Sequence, residues 1–285
     1  MNDDAAGLPG PLLAHTGPIL ARERPRQGGF FDVTLLDAAR GRFVLKQGDT
    51  PPAVAELAAE SRVLDALAPY RPLVARPIAH VIEEDESGTG WFLFSCLPGR
   101  DLAHALWEPG STPARRHGLI AAFGNLLRQI HDGWMPTGDL PRREDWLSWA
   151  VGAARANVVA GRVEVASSGA WSLGGRDPAE VVSEMEAERS RLQNEIAFGH
   201  GDYCLPNVLA VGETVSGVID WSRGGWADRR FDIATGLRTI RYNLQDLNEE
   251  DPGDVAAYLN TFLTAYGYEG PPENLRFFEA LYVLL

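Results

Sequence analysis

Three polar side chains stand out by type and by spacing. Asp202 and Asn207 lie five residues apart in the run His200-Gly201-Asp202-Tyr203-Cys204-Leu205-Pro206-Asn207. Asp220 follows thirteen residues after Asn207, at the end of the apolar run Val215-Ser216-Gly217-Val218-Ile219. Carboxylate and amide oxygens are ligands that suit magnesium, and a further carboxylate beside a hydroxyl can orient it and take its proton. Together they are the groups that transfer of a phosphoryl group from a nucleotide requires. The pattern predicts a short loop between two strands that presents Asp202 and Asn207, with a hairpin bringing Asp220 back beside them. Asp and Asn also favour turns on their own account, but turn chemistry alone does not call for both spacings at once.

The elements that must position this set begin near residue 28. Gly28 and Gly29 precede a strand over 30–36, and a turn over 37–41 leads to a second strand over 42–46. Glycines at the start of such a hairpin let the backbone approach phosphates, though they serve equally well as a structural turn. Lys46 ends an apolar strand, where an unpaired buried ammonium is costly. After Pro51-Pro52 a helix is predicted with the stripe Ala53, Leu57, Glu60, Leu64 and Leu67. Glu60 is the one acid on that stripe, so it faces inward and needs a partner. Lys46 is the natural one, with Glu56 a rival acid one turn earlier; Lys46 could otherwise extend to solvent. Strands follow at 74–81 and 90–96, flanking the acidic turn at 83–86.

The stretch HGDYCLPN, followed by GVIDWSRGGWADRRFDIA, resembles the aminoglycoside phosphotransferase family, in particular its 3'-phosphotransferases (kanamycin kinases). The resemblance is tight over about 198–241 and looser elsewhere. It implies an α+β, protein-kinase-like two-lobe fold with an antiparallel-sheet N-lobe (1–97) and a mainly helical C-lobe (98–285). It also implies Mg2+ with ATP or GTP as co-substrate. By resemblance, Asp202 is the catalytic carboxylate, Asn207 and Asp220 hold the metal, and Lys46, positioned by Glu60, holds the nucleotide phosphates. Backbone groups of Ser95 and Leu97 are implied to meet the adenine. His200 at the loop base and Asp232 at a helix start are implied to support the catalytic loop.

The remainder reads as mostly helical. Thr112-Pro113 is an N-cap and first-turn pair opening a long helix that ends near His131. His131, closing an amphipathic helix, reads as structural. Further helices are expected over 143–159, 177–192, from 233, and after Asp251-Pro252 and Pro271-Pro272. A loop rich in Gly, Ser and Ala over 161–175 reads as mobile, and residues 1–27 read as a lead-in with little regular structure.

The chain of 285 residues carries a net charge of −13, which argues against a nucleic-acid partner. Two cysteines, no basic leader and no apolar run long enough to span a bilayer predict a soluble, cytoplasmic protein without a membrane partner. The acceptor is expected to be a small molecule bearing a hydroxyl, of the aminoglycoside antibiotic type. A macrolide, an amino alcohol or another metabolite is the alternative, and a nucleotide-binding pseudokinase a further one. The resemblance implies acceptor contacts from Arg238 and the terminal carboxylate of Leu285. It puts Tyr242, and Tyr282 with Val283, where the family has acids, and the loop ASSGAWSLGG (166–175) is acid-poor. Glu249, Glu250 and Asp251 are the acids that could compensate, although a helix cap is the competing role for them.

Overall fold

The structure, a computed structural model, describes residues 8–25, 31–83, 88–163, 172–246, 248 and 250–285. The chain divides into two compact units. The first comprises Met1–Pro98, Pro136–Gly138 and Gly217–Arg223, and the second comprises Gly99–Met135, Asp139–Ser216 and Gly224–Leu285.

The first unit is built on a five-stranded sheet of order β1-β2-β3-β5-β4. Its strands are β1 (Ile19–Glu23), β2 (Asp32–Ala38), β3 (Gly41–Gly48), β4 (Pro77–Ile82) and β5 (Gly90–Ser95), each antiparallel to its neighbours. Side chains alternate across a strand. On β3 the alternation sends Phe43 and Leu45 into a core with Leu12, Leu36 and Leu93, and puts Lys46 on the opposite face. Helix α2 (Pro51–Ala66) starts on the Thr50 side chain, which accepts from Ala53 N–H, and has proline in its first turn. Its stripe of Ala53, Leu57, Glu60, Leu64 and Leu67 is buried, while Glu56 is exposed.

The lead-in is more ordered than the sequence suggests. Residues Gly10–Thr16 form helix α1 with Leu12 fully buried, and Ile19–Glu23 pairs with β2 as an edge strand. That strand is almost wholly exposed, so it carries no alternating apolar pattern from which to read it.

In the second unit the long helix Pro113–Gly133 begins on Thr112, whose hydroxyl accepts from Arg115 N–H at 3.2 Å. It packs against the helix Pro252–Tyr266 through the Phe123 and Phe262 rings, whose centroids lie 5.3 Å apart. Further helices among the described residues of this unit are Leu102–Ala105, Trp146–Val159, Pro178–Arg189, Arg229–Arg241 and Arg276–Leu284. Two small sheets hold the loops between them. One pairs Ile196–Gly199 with Gly225–Asp228, and the other runs Arg100–Asp101, Val208–Val211, Thr214–Val218. Most of the loop read as mobile, together with Gly28 and Gly29, falls outside the described residues.

Candidate active site

In the first unit the Lys46 ammonium meets two carboxylates. Its Nζ lies 2.9 and 2.8 Å from the two carboxylate oxygens of Glu60, and 3.2 Å from Asp220 Oδ1. Asp220 reaches this unit because the segment around it docks there. Val218 N–H donates to Leu73 O at 2.8 Å, and Trp221, fully buried, donates its backbone N–H to Glu60 Oε1 at 3.3 Å. Burial opposes the charge on Lys46, but the two carboxylates outweigh it and hold its pKa above the ordinary value. The ammonium is therefore a fixed cation. Glu60 is 2% exposed and committed to it. The Asp220 side chain is 37% exposed, so it keeps oxygen lone pairs for another cation. Asp220 is also the one described non-glycine residue with positive φ, at 64°, a conformation more common at functional positions than in ordinary loops.

The second unit carries Asp202 on a loop that is tied down at almost every residue. Asp232, in the first turn of helix Arg229–Arg241, accepts the backbone N–H groups of His200 at 2.6 Å and Gly201 at 2.8 Å. Gly201 turns the chain with φ at 78°. Gly199 must lack a side chain, because a Cβ there would sit 2.5 Å from Asp232 Oδ2. His200 is fully buried and its Nδ1 accepts from Asp202 N–H at 3.2 Å. Tyr203 donates its hydroxyl to Phe123 O at 2.8 Å, and Leu205 N–H reaches Thr239 Oγ1 at 3.3 Å. Burial alone would raise the pKa of Asp232. The His131 side chain at 3.4 Å, the His200 ring and the His200 N–H together bring it below the ordinary value. His131 is thus a buried support of this carboxylate, held in turn by the Tyr266 hydroxyl at 2.9 Å.

Asn207 closes the loop. Its amide nitrogen donates to Asp202 O at 3.0 Å and to Asp202 Oδ2 at 3.2 Å. With both amide hydrogens so directed, the amide oxygen is left as a ligand. An amide oxygen is a hard donor of the kind Mg2+ accepts, as is a carboxylate oxygen such as those of Asp220 in the first unit.

The Ser95 hydroxyl accepts from Arg76 N–H at 2.8 Å, and the Leu97 side chain packs over Gly217. Arg238 lies over the Tyr282 ring at 5.0 Å. Tyr242 opens a π-helical turn, Tyr242–Asp246. Glu250 is paired with Arg116, and Asp251 caps the helix Pro252–Tyr266 by accepting from Gly253 N–H at 2.8 Å. The carbonyl oxygen of Leu285 accepts from Asn157 Nδ2 at 3.2 Å. Glu249 lies outside the described residues.

Two arrangements have no counterpart in the sequence reading. Tyr282 donates its hydroxyl to Asp202 Oδ1 at 2.8 Å. Asp228, 1% exposed, holds Arg230 through two bonds at 2.8 and 2.7 Å while also accepting Glu195 N–H, and so fixes the start of the helix that bears Asp232. The ADR-containing segment carried a signal for the second arrangement. Nothing local signals the first.

An antiparallel sheet with a Lys–Glu pair, joined in sequence to a helical unit whose central loop carries Asp and Asn, is the architecture of the kinase-like phosphotransferases. Residues 23–278 match the family described as "Phosphotransferase enzyme family", and the chain belongs to it. It is 31% identical over 209 residues to an aminoglycoside 3'-phosphotransferase of Streptomyces fradiae, covering 72% of each chain. It is 35% identical over 200 residues to an aminoglycoside 3'-phosphotransferase of Niallia circulans, covering 67% of this chain and 65% of the relative. Its fold superposes with a TM-score of 0.72 on an aminoglycoside phosphotransferase from Streptomyces rimosus solved with ADP and streptomycin. That match is 20% identical and covers 96% of this chain and 95% of the other.

Proposed function

We propose that this chain transfers the terminal phosphoryl group of ATP or GTP to a hydroxyl of a small-molecule acceptor of the aminoglycoside antibiotic type. The observation that carries this reading is the Lys46 ammonium held between buried Glu60 and partly exposed Asp220. A cation committed to one carboxylate and shared with a second is arranged to hold polyphosphate beside a metal ion. In this reading Lys46 binds the nucleotide phosphates and Glu60 keeps it in place. Asn207 and Asp220 hold Mg2+, which neutralises phosphate charge when bound. Asp202 orients the acceptor hydroxyl and receives its proton, and His200 and Asp232 keep the loop in shape. The Ser95 and Leu97 backbone groups complete the nucleotide site.

The acceptor class rests on the relatives, which are named for aminoglycosides, and on a streptomycin complex of a protein sharing the fold. Intact Lys46, Asp202, Asn207 and Asp220 argue against a pseudokinase. Tyr282 on Asp202 favours, as a second reading, an acceptor with less charge than a kanamycin, such as a macrolide or an amino alcohol. Among the described residues no helix is long and apolar enough to cross a membrane, and both cysteines are free thiols, which suits a reducing cytoplasm.

The test is an acceptor panel of aminoglycosides, macrolides and amino alcohols incubated with Mg-ATP or Mg-GTP, with phosphorylated product identified by mass. Phosphorylation of at least one acceptor is expected. Nucleotide binding without transfer to any acceptor would overturn the reading.

A further inference from the structure

We propose that Tyr282 is a positioning residue for the phosphoryl-transfer step, fixing the Asp202 carboxylate through its hydroxyl. The proposal rests on the reading of Asp202 as the group that receives the acceptor hydroxyl. Tyr282 Oη donates to Asp202 Oδ1 at 2.8 Å, and Asn207 Nδ2 donates to Asp202 Oδ2 at 3.2 Å. Each carboxylate oxygen thus holds one donor, and rotation of the carboxylate about its bond to Cβ breaks both. A carboxylate accepts about four hydrogen bonds, so lone pairs remain for the incoming hydroxyl. The ring is itself seated, with Phe231 at 6.0 Å between centroids and the Arg238 guanidinium 5.0 Å from the ring centre. Burial first, and the Asp202 charge second, push the phenol pKa well above its ordinary value, so the hydroxyl stays protonated and acts as a donor to the carboxylate. A pre-oriented base costs no reorganisation when the acceptor arrives.

The experiment is Tyr282→Phe in the full chain, which removes one oxygen and keeps the ring contacts. It is assayed with Mg-ATP and the best acceptor of the panel. A hydrogen bond to a charged group contributes enough for kcat to fall about 10- to 100-fold. KM for the nucleotide is expected to stay within about twofold, because the phosphate-binding groups are untouched. The melting temperature of the same preparation separates this role from packing. An unchanged kcat in a folded variant, with or without a lower melting temperature, overturns the proposal. So does a rise in kcat, which would mean that the Tyr282 hydroxyl competes with the acceptor for Asp202. A wild-type chain that phosphorylates no acceptor overturns the phosphotransferase reading itself, and this inference with it. Wild-type turnover with an unaffected Tyr282→Phe removes Tyr282 alone.

Discussion

Lys46 and Glu60, fourteen residues apart, meet through both carboxylate oxygens at 2.9 and 2.8 Å with almost no exposure of either side chain. A pair this dry is costly to break on one side, because the remaining charge is left without its partner. Glu60→Leu is therefore expected to destabilise the chain by about 3 kcal/mol, the low end of the usual range of about 3–5 kcal/mol, since Asp220 still faces Lys46. Its affinity for Mg-nucleotide is expected to fall as well. Thermal unfolding with and without Mg-ATP checks both, and a variant as stable and as responsive to nucleotide as wild type would contradict the pairing.

Asp202→Asn is expected to lower turnover by at least ~10², the usual contribution of a positioned base, with nucleotide affinity nearly intact. The motive is its place on the loop held by Asp232. Turnover and nucleotide Kd measured on one preparation decide the matter. Near-normal turnover in a folded variant removes Asp202 from the role.

Asp220→Ala is expected to abolish Mg-dependent nucleotide binding, since under the proposed function it removes a carboxylate ligand of the ion, and it also removes one of the two carboxylates on Lys46. Asn207→Ala is expected to act more mildly, because water can replace an amide ligand. Titration with nucleotide at varied Mg2+ separates the two variants. Wild-type Mg-nucleotide affinity in Asp220→Ala would show that the metal is held elsewhere.

Asp232 gives the chain a predictable weakness to acid. Its pKa is depressed when folded, despite the opposing effect of burial, because it faces His131 and His200 and accepts two backbone N–H groups. A depressed carboxylate contributes stability that is fully present above the unfolded pKa. That stability is lost as pH falls from about 5 through the folded value. Asp232→Asn should be less stable than wild type at neutral pH, and the gap should narrow on acidification. Urea midpoints across that range test this, and a gap that stays constant or widens would rule out Asp232 as the source.

How much of this was legible depended on sequence distance. The α2 stripe could be read because Leu57, Glu60 and Leu64 repeat at helical spacing, which made Glu60 the anomaly that demanded a cation. The loop could be read because Asp202, Asn207 and Asp220 keep fixed spacings along one stretch. Tyr282 could not, since it meets Asp202 across eighty residues through a helix whose pattern reads only as packing. The edge strand Ile19–Glu23 was hidden for the opposite reason: its pairing is made by backbone, and its side chains are mostly in solvent.

The choice of acceptor is where the residues depart most from the relatives' names. A polyamine sugar keeps its ammonium groups well solvated in water, so a site must offer carboxylates to compete, each contributing about 1.5–3 kcal/mol through charge-assisted bonds. Of the acids that the sequence offered as replacements, Glu250 pairs with Arg116, Asp251 caps a helix and Glu249 lies outside the described residues. Glu279 on the C-terminal helix, a further acid, is buried against Arg241 at 3.0 Å. Next to Asp202 the same helix presents the phenol of Tyr282 beneath Arg238, an aromatic face with a cation on it. Losing about three carboxylate partners amounts to several kcal/mol, and hence to orders of magnitude in affinity. Kanamycin-type compounds are therefore expected to be poor or narrow-range acceptors, with the best acceptor carrying fewer ammonium groups. Steady-state kinetics across kanamycins, less charged aminoglycosides, macrolides and amino alcohols will rank them. Micromolar KM values for several kanamycin-type compounds would show instead that carboxylates outside those described here rebuild a polycation site.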